Sequence, residues 1–284
     1  MERITDFKSA ETLNENQILG KLDNASLKNS NITFNGKGNV VYVESGVNIA
    51  NSRIVFNGDN SLLYLSKNWY EYYIDFRINN NTTVFIGKNN YFNNALNVIT
   101  SEGQNVFFGE DCLISMNVFL RTADPHLIYD IETKKRVNAS KSILIGDHVW
   151  LGQNAMILKG TVIGSGSVVG AGSVVTGKRI ISNCIYAGNP AKKIKSGIFY
   201  ENDCVHQWTP TQTAESEICE LDKHIYKETN QTIDLTELDM KLKEADSAQD
   251  KIEVLKKYPL WSNIKNRFAV CEEAKRKKFG FLNK

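Results

Sequence analysis

Ile145-Gly-Asp-His-Val-Trp150, Leu151-Gly-Gln-Asn-Ala-Met156, Ile157-Leu-Lys-Gly-Thr-Val162, Ile163-Gly-Ser-Gly-Ser-Val168 and Val169-Gly-Ala-Gly-Ser-Val174 form a stretch written in sixes. An aliphatic residue opens seven consecutive units, at Ile145, Leu151, Ile157, Ile163, Val169, Val175 and Ile181. The fifth place is small: Val149, Ala155, Thr161, Ser167 and Ser173. A period of six matches neither the 3.6 of an amphipathic helix nor the 2 of an open strand. Short strands joined by tight corners explain it. The aliphatic residue fills an interior, the small residue sits near a corner, and Gly takes the corner's strained backbone. Stacked coils of this kind make a parallel β-helix, a quasi-one-dimensional repeat fold.

The rhythm extends toward the amino terminus in a looser form. Phe34-Asn35-Gly36 recurs as Phe56-Asn57-Gly58, and Ile86-Gly87-Lys88-Asn89 is answered by Phe108-Gly109-Glu110-Asp111. Both steps are 22 residues (56 − 34 and 108 − 86), three sixes plus four. Irregular coils with bulged corners are the expectation, and Asn, which tolerates left-handed backbone angles, suits those corners. Asn is indeed abundant there, with 22 copies before residue 118. Strict sixes resume at Ile86, Phe92 and Val98, then at Phe108, Ile114 and Leu120. They stop after Leu120 and restart only at Ile145, so residues 121–143 form a loop inserted into a regular solenoid, where function concentrates.

Composition bounds the rest. With 284 residues and 42% hydrophobic content the chain can bury a large core. A formal charge of +2 makes no electrostatic case for nucleic acid. No apolar run reaches the roughly 18 residues of a spanning helix, and the polar start does not resemble a signal peptide. The five cysteines, at 112, 184, 204, 219 and 271, fit no metal or redox spacing, so reduced thiols in a cytoplasm are expected, with no metal. Past Lys195 the pattern turns helical. Leu235, Leu238 and Leu242 follow a capping Asp234 and Glu237. A second helix near Asp250–Lys257 stops before Pro259, and a third is expected to carry Ile264, Phe268 and Cys271 on one face. The division is a lead-in over 1–30, coils over 31–197 and a helical region over 198–284. The chain ends in Lys275-Arg276-Lys277-Lys278, read as a solvated helix end or as a contact for an anionic glycan or the inner membrane face.

The inserted loop holds the strongest chemical candidate. His126 lies between two carboxylates, Asp124 and Asp130. An imidazole can take a proton from a hydroxyl at neutral pH, and a carboxylate can fix its tautomer. Either Asp could serve.

Four motifs then carry a resemblance: Asp124-Pro125-His126-x-Ile128-Tyr129-Asp130, Arg136-Val137-Asn138, Ile145-Gly-Asp-His-Val-Trp-Leu-Gly152 and Ala187-Gly-Asn-Pro-Ala-Lys192. In order and spacing they resemble the hexapeptide-repeat acetyltransferases, most of all the O-acetyltransferases of bacterial sialic-acid and capsular polysaccharides. The resemblance covers roughly residues 84–200. It implies an all-β left-handed parallel β-helix with a small α-helical C-terminal extension, a homotrimer, and acetyl-CoA as co-substrate in the cleft between subunits. It makes His126 the general base that activates a glycan hydroxyl for direct attack on the thioester. Trp150 matches an active-site position, as a wall of the acceptor pocket or a support for the thioester, although an aromatic there can also serve coil stacking. Gly170, Ala171, Gly188 and Asn189 match the track of the pantetheine, and Lys192, Lys193 and Lys195 are candidates for the CoA phosphates by charge. Arg121, Tyr129, Arg136 and Asn138 are the acceptor candidates. His148 falls at a corner of a six, pointing outward, and reads as structural rather than catalytic.

The acceptor expected first is sialic acid of a capsule or lipooligosaccharide. N-acetylation of an amino-sugar nucleotide or small molecule is the alternative, and a non-catalytic β-helix scaffold the third reading. A scaffold, however, has no reason to interrupt matched sixes with a loop.

Overall fold

Each six supplies one side of a three-sided coil in the computed structural model of the chain, which describes residues 1–260 and 264–272. Ile145 pairs in parallel with Ile163, Leu151 with Val169 and Ile157 with Val175, so one turn of the regular part takes 18 residues (163 − 145). In the looser part Phe34 pairs with Phe56 and Ile86 with Phe108, a turn of 22 residues. Across the inserted loop the step is 37 (143 − 106). About seven turns stack into a left-handed parallel β-helix. That hand is an exception to the right-handed crossover habit, and short strands with glycine- and asparagine-rich corners make it attainable.

The interior is what the spacing demands. Ile145, Leu151, Ile157, Ile163, Val169 and Val175 are fully buried, as are the fifth-place residues Val149, Ala155, Thr161, Ser167 and Ser173. Phe34, Phe56 and Phe76 fill the wider amino-terminal turns. Corners there use Asn24, Asn51, Asn60, Asn81 and Asn89 in the left-handed region. Glycine is required where turns touch: a Cβ on Gly87 would lie 2.3 Å from the carbonyl oxygen of Gly109 in the turn above. The count of sixes fails once. In the last coil Ile180, not Ile181, pairs with Ile163 and points inward; Ile181 is only partly buried. The corner at Gly177 is one residue shorter than the others, so the apolar position moves back by one.

Three faces result. The first carries strands from Asn31–Phe34 up to Val174–Val175, the second from Gln17–Gly20 up to Arg179–Ile180, and the third from Tyr91–Phe92 up to the hairpin Cys184–Gly188/Ala191–Ser196. Parallel pairing already begins at Gln17–Gly20, inside the lead-in. Beneath it, strand Glu2–Ile4 runs antiparallel to Asn31–Phe34, and Phe7 closes the bottom of the core.

The carboxy-terminal region is not a separate body. Among the described residues three α-helices, α1 (Pro210–Glu215), α2 (Leu235–Glu244) and α3 (Ala248–Lys257), follow the coils. Asp234 caps α2 through the Thr236 N–H, and Ser247 caps α3 through Asp250. Leu235, Leu238, Leu242, Ile252 and Leu255 pack on Val40, Leu62, Tyr64, Phe85, Phe107 and Leu144, the outward side chains of the second face. The helix expected through Ile264, Phe268 and Cys271 does not form: these residues lie in turns and extended chain. Phe268 still buries itself, edge-on to Phe107 with centroids 5.2 Å apart. With so few residues after Pro259 to reach the coil, burial of Phe268 and Arg267 outweighs helix propensity. The basic run 275–278 lies outside the described residues. Among those described, no helix is long and apolar enough to cross a membrane.

Candidate active site

The loop leaves the first face after Arg121 and rejoins the second face at Ile143, so it projects from the edge between them. Its shape is fixed from within. Asn138 is buried; its amide donates to the His126 carbonyl (2.7 Å) and to Asp124 (3.1 Å), while its oxygen accepts the Ile128 N–H (3.0 Å). Lys159, from the next coil, donates to the Asp124 carboxylate at 2.5 Å and to the Asn138 carbonyl at 3.0 Å. Arg136 forms a bidentate pair with Glu102 (2.7 and 3.0 Å), and Ser140 donates to the same carboxylate. These bonds hold the Glu102 carboxyl down to about 2. Tyr129, exposed, faces Arg136 across a two-residue bridge.

His126 sits at the surface of this braced loop, and among the described residues its imidazole has no hydrogen-bond partner. The two candidate orienters are engaged elsewhere. Asp130 caps its own turn through Thr133 and Glu132, bonds that lower its pKa. The Lys159 ammonium does the same for Asp124, with Asn138 adding to it. Arg136 and Asn138, expected at the acceptor, are spent on the loop's own architecture. Arg121 lies half-buried at the end of its strand, where the loop begins.

Trp150 stands on the third face, away from that edge. It pairs with Leu113 below and Val168 above, and its Nε1–H reaches the Ser115 hydroxyl at 3.3 Å. Its ring is 41% exposed, which a coil-stacking aromatic has no need to be. Two grooves meet there. One, of about 360 Å³, runs up the edge between the third and first faces, past Gly152, Gln153, Gly170 and Ala171. Small side chains leave the backbone accessible along it. Gly188 continues this edge, its N–H donating to Ser173, and Lys192 and Lys193 lie on the return strand opposite Ala187 and Tyr186. Gly170, Ala171, Gly188, Asn189, Lys192 and Lys193 therefore gather at one end of one edge. The other groove, of about 770 Å³, runs down the third face from Trp150 past Tyr91 to Tyr70 and Trp69.

Sequence reasoning missed what lies behind Trp150. His148 does point outward from its corner, in the left-handed region at φ 51°, but the carboxy-terminal chain covers it completely. Its Nδ1 meets Asp111 and its Nε2 the Tyr200 carbonyl, both at 3.0 Å. Its ring is stacked between Tyr200 (4.0 Å) and His224 (3.4 Å), and Tyr200 in turn reaches Trp150 at 5.9 Å. Burial, with the adjacent His148 ring adding to it, lowers the His224 pKa to about 4, so this ring is neutral at physiological pH. Asp111, His148 and His224 are close enough to suggest a metal centre. Their candidate ligand atoms lie within 4.8 Å of one another, and the two imidazole planes are 3° from parallel. The residues just before Asp111 and His148 are held from the same side: Arg267 pairs with Asp147 (2.8 and 2.9 Å) and Glu110 (3.1 Å). No local pattern announces these contacts, which span from 37 (Asp111 to His148) to 157 (Glu110 to Arg267) residues of chain.

Comparison with known proteins places the coil among relatives. The bacterial transferase hexapeptide family (six repeats) matches residues 142–177. A polysialic acid O-acetyltransferase of Escherichia coli O1:K1 is 46% identical over 117 residues, 41% of this chain and 38% of that protein, so the match spans well under half of the relative. The crystal structure of the polySia-specific acetyltransferase NeuO superposes with a TM-score of 0.62 at 34% identity, covering 71% of this chain and 93% of NeuO. The polysialic acid O-acetyltransferase OatWY gives 0.54 at 26% identity, covering 71% and 99%.

Proposed function

The chain belongs to the hexapeptide-repeat acetyltransferases, and from that premise we propose that it moves an acetyl group from acetyl-CoA to a hydroxyl of a sialic-acid-containing surface glycan. The observation that carries this reading is the meeting of two grooves at Trp150. The narrow one, with its glycine corners and lysines at the far end, suits a thin pantetheine arm leading to a polyphosphate. The wide one, polar and aromatic, suits a sugar. Acetyl transfer belongs where they join.

His126 projects from the edge between the first and second faces, and Trp150 lies on the third. A second copy whose third face lies against the first copy's loop would bring the two together. The proposed site is therefore shared between subunits of a trimer. In it, His126 takes the proton of the acceptor hydroxyl as its oxygen attacks the thioester carbon. The tetrahedral intermediate collapses with loss of the CoA thiolate, which recovers the proton. Such proton removal is worth about 10²–10⁴-fold. Holding both substrates across one interface supplies more. Trp150 walls the junction and keeps water from the thioester.

His126→Ala is expected to lower turnover by about 10²-fold or more, with the trimer and CoA binding intact. Trimers reassembled from a mixture of His126→Ala and Trp150→Ala chains should regain activity, because some interfaces then hold both intact residues. Turnover retained by His126→Ala, or no recovery on mixing, would count against the shared site. Acetyl-CoA offered with sialylated oligosaccharides, neutral glycans and nucleotide-linked amino sugars tests the acceptor class.

A further inference from the structure

From Asn202 to Asp222 every residue except Trp208 is exposed. The segment nonetheless has a defined path. Thr209 and Gln212 cap α1 reciprocally, and the Asp222 carbonyl accepts the Lys265 ammonium at 2.6 Å. Apolar side chains lie open along it: Val205, Leu221 and Ile218, the last 79% exposed. Its charge is of one sign. Glu201, Asp203, Glu215, Glu217, Glu220 and Asp222 stand against no lysine or arginine, in a chain whose net charge is +2. Of these six only Glu201 has an ion pair among the described residues, with Lys223 at 2.8 Å. Like charges keep such a segment from collapsing on itself and leave its apolar side chains free for a partner.

The tip of the inserted loop is its complement. Leu127, Ile128, Ile131 and Val137 are exposed, Ile131 at 82%. Lys134 and Lys135 stand among them, exposed and without an ion pair among the described residues. Within one chain the two surfaces lie apart. The loop leaves the edge between the first and second faces, whereas residues 201–206 run along the third face beside Trp150. Among the described residues no hydrogen bond or ion pair joins them. Because the stacked coil between them is rigid, the two surfaces can close only between copies.

Resting on the shared-site reading above, we propose that residues 202–222 of one copy clamp the loop tip of a neighbouring copy. Val205, Ile218 and Leu221 receive Leu127, Ile128 and Ile131, and the acidic side chains meet Lys134 and Lys135. Apolar burial supplies the affinity, and the opposed charges select register and orientation. The clamp is a positioning device. His126 adjoins Leu127, so seating the tip fixes the approach of the imidazole to the third face that carries Trp150. The carboxy-terminal segment of one subunit thus completes the site served by the loop of the next.

Cross-linking on the full chain reads this contact directly. In a chain carrying Cys204→Ser and Ile131→Cys, a short bismaleimide is expected to join the introduced thiol to the native Cys219 of a neighbour. Covalent oligomers should result, and Cys219→Ser should abolish them. Lys134→Glu with Lys135→Glu should raise the concentration at which the oligomer half-dissociates about tenfold, and adding Glu217→Lys and Glu220→Lys should restore it. All four side chains are exposed in the single chain, so its own fold is unaffected. An active oligomer that gives no such cross-link overturns the clamp and leaves the acetyltransferase reading standing. Product confined to single chains, or charge reversal without effect or without rescue, overturns it as well. A chain that stays monomeric overturns the clamp and the shared site together. A cross-linked oligomer that acetylates no glycan supports the clamp and sinks the enzymatic reading.

Discussion

Arg267 shows how much one residue far along the chain can hold. It is 2% exposed, forms ion pairs with Asp147 and Glu110, and also donates to the Leu260 carbonyl. Asp147 needs this partner because its Oδ1 is already turned inward to accept the Glu110 N–H at 2.8 Å. Arg267→Ala strands a buried carboxylate, and breaking such a pair from one side costs about 3–5 kcal/mol. Urea unfolding should show that loss, and a change within 1 kcal/mol would contradict it. Nothing at residue 267 announces this in sequence. Trp150 is the opposite case. The sixes place it on a face, and the motif around it ranks it above other aromatics.

At the scale of elements, the inserted loop behaves as a braced arm. Its interruption of the sixes is legible from the letters alone. The bracing is not, because Glu102, Arg136, Asn138 and Lys159 are ordinary surface residues until the coil stacks them. Glu102 carries the pH dependence. Its carboxyl is depressed in the folded state, so its contribution is present above the ordinary carboxyl value of about 4.3 and is lost as pH falls through about 2. The pair is solvent-exposed and screened, so the effect is local and does not unfold the molecule. Loop amides 130–138 should keep their NMR relaxation from pH 7 down to about 4 and become mobile as pH falls through about 2. Glu102→Gln should loosen them already at pH 7. A loop that stays rigid in that variant would rule out the Arg136 anchor.

For the whole molecule, the carboxy-terminal region completes the β-helix by covering its second face. Tyr42 and Tyr64 stack at 4.6 Å, and so do Phe85 and Phe107, forming an outward aromatic ladder that water would otherwise meet. Truncation after residue 197 should expose that ladder. The expected results are binding of a hydrophobic dye, aggregation and a lowered melting temperature, because open apolar patches of this size are interaction surfaces. A truncated chain that is soluble, dye-negative and equally stable would show the region to be dispensable. The same truncation removes Tyr200 and His224 from behind Trp150, so the cover also holds one wall of the proposed site.

The sequence by itself determined the coil: its period, its interior residues, its asparagine corners and the place where a loop breaks out. These are readable because each turn touches only its neighbours, so contacts recur at fixed spacing. His126 and Trp150 were legible for the same reason, as positions relative to that repeat. Only the tertiary structure decided what closes around them. The Tyr200–His148–His224 stack, the Arg267 anchor and the non-helical path through Phe268 all depend on chain segments far apart in sequence. Their energies come from burial and pairing that exist only once the coil has formed.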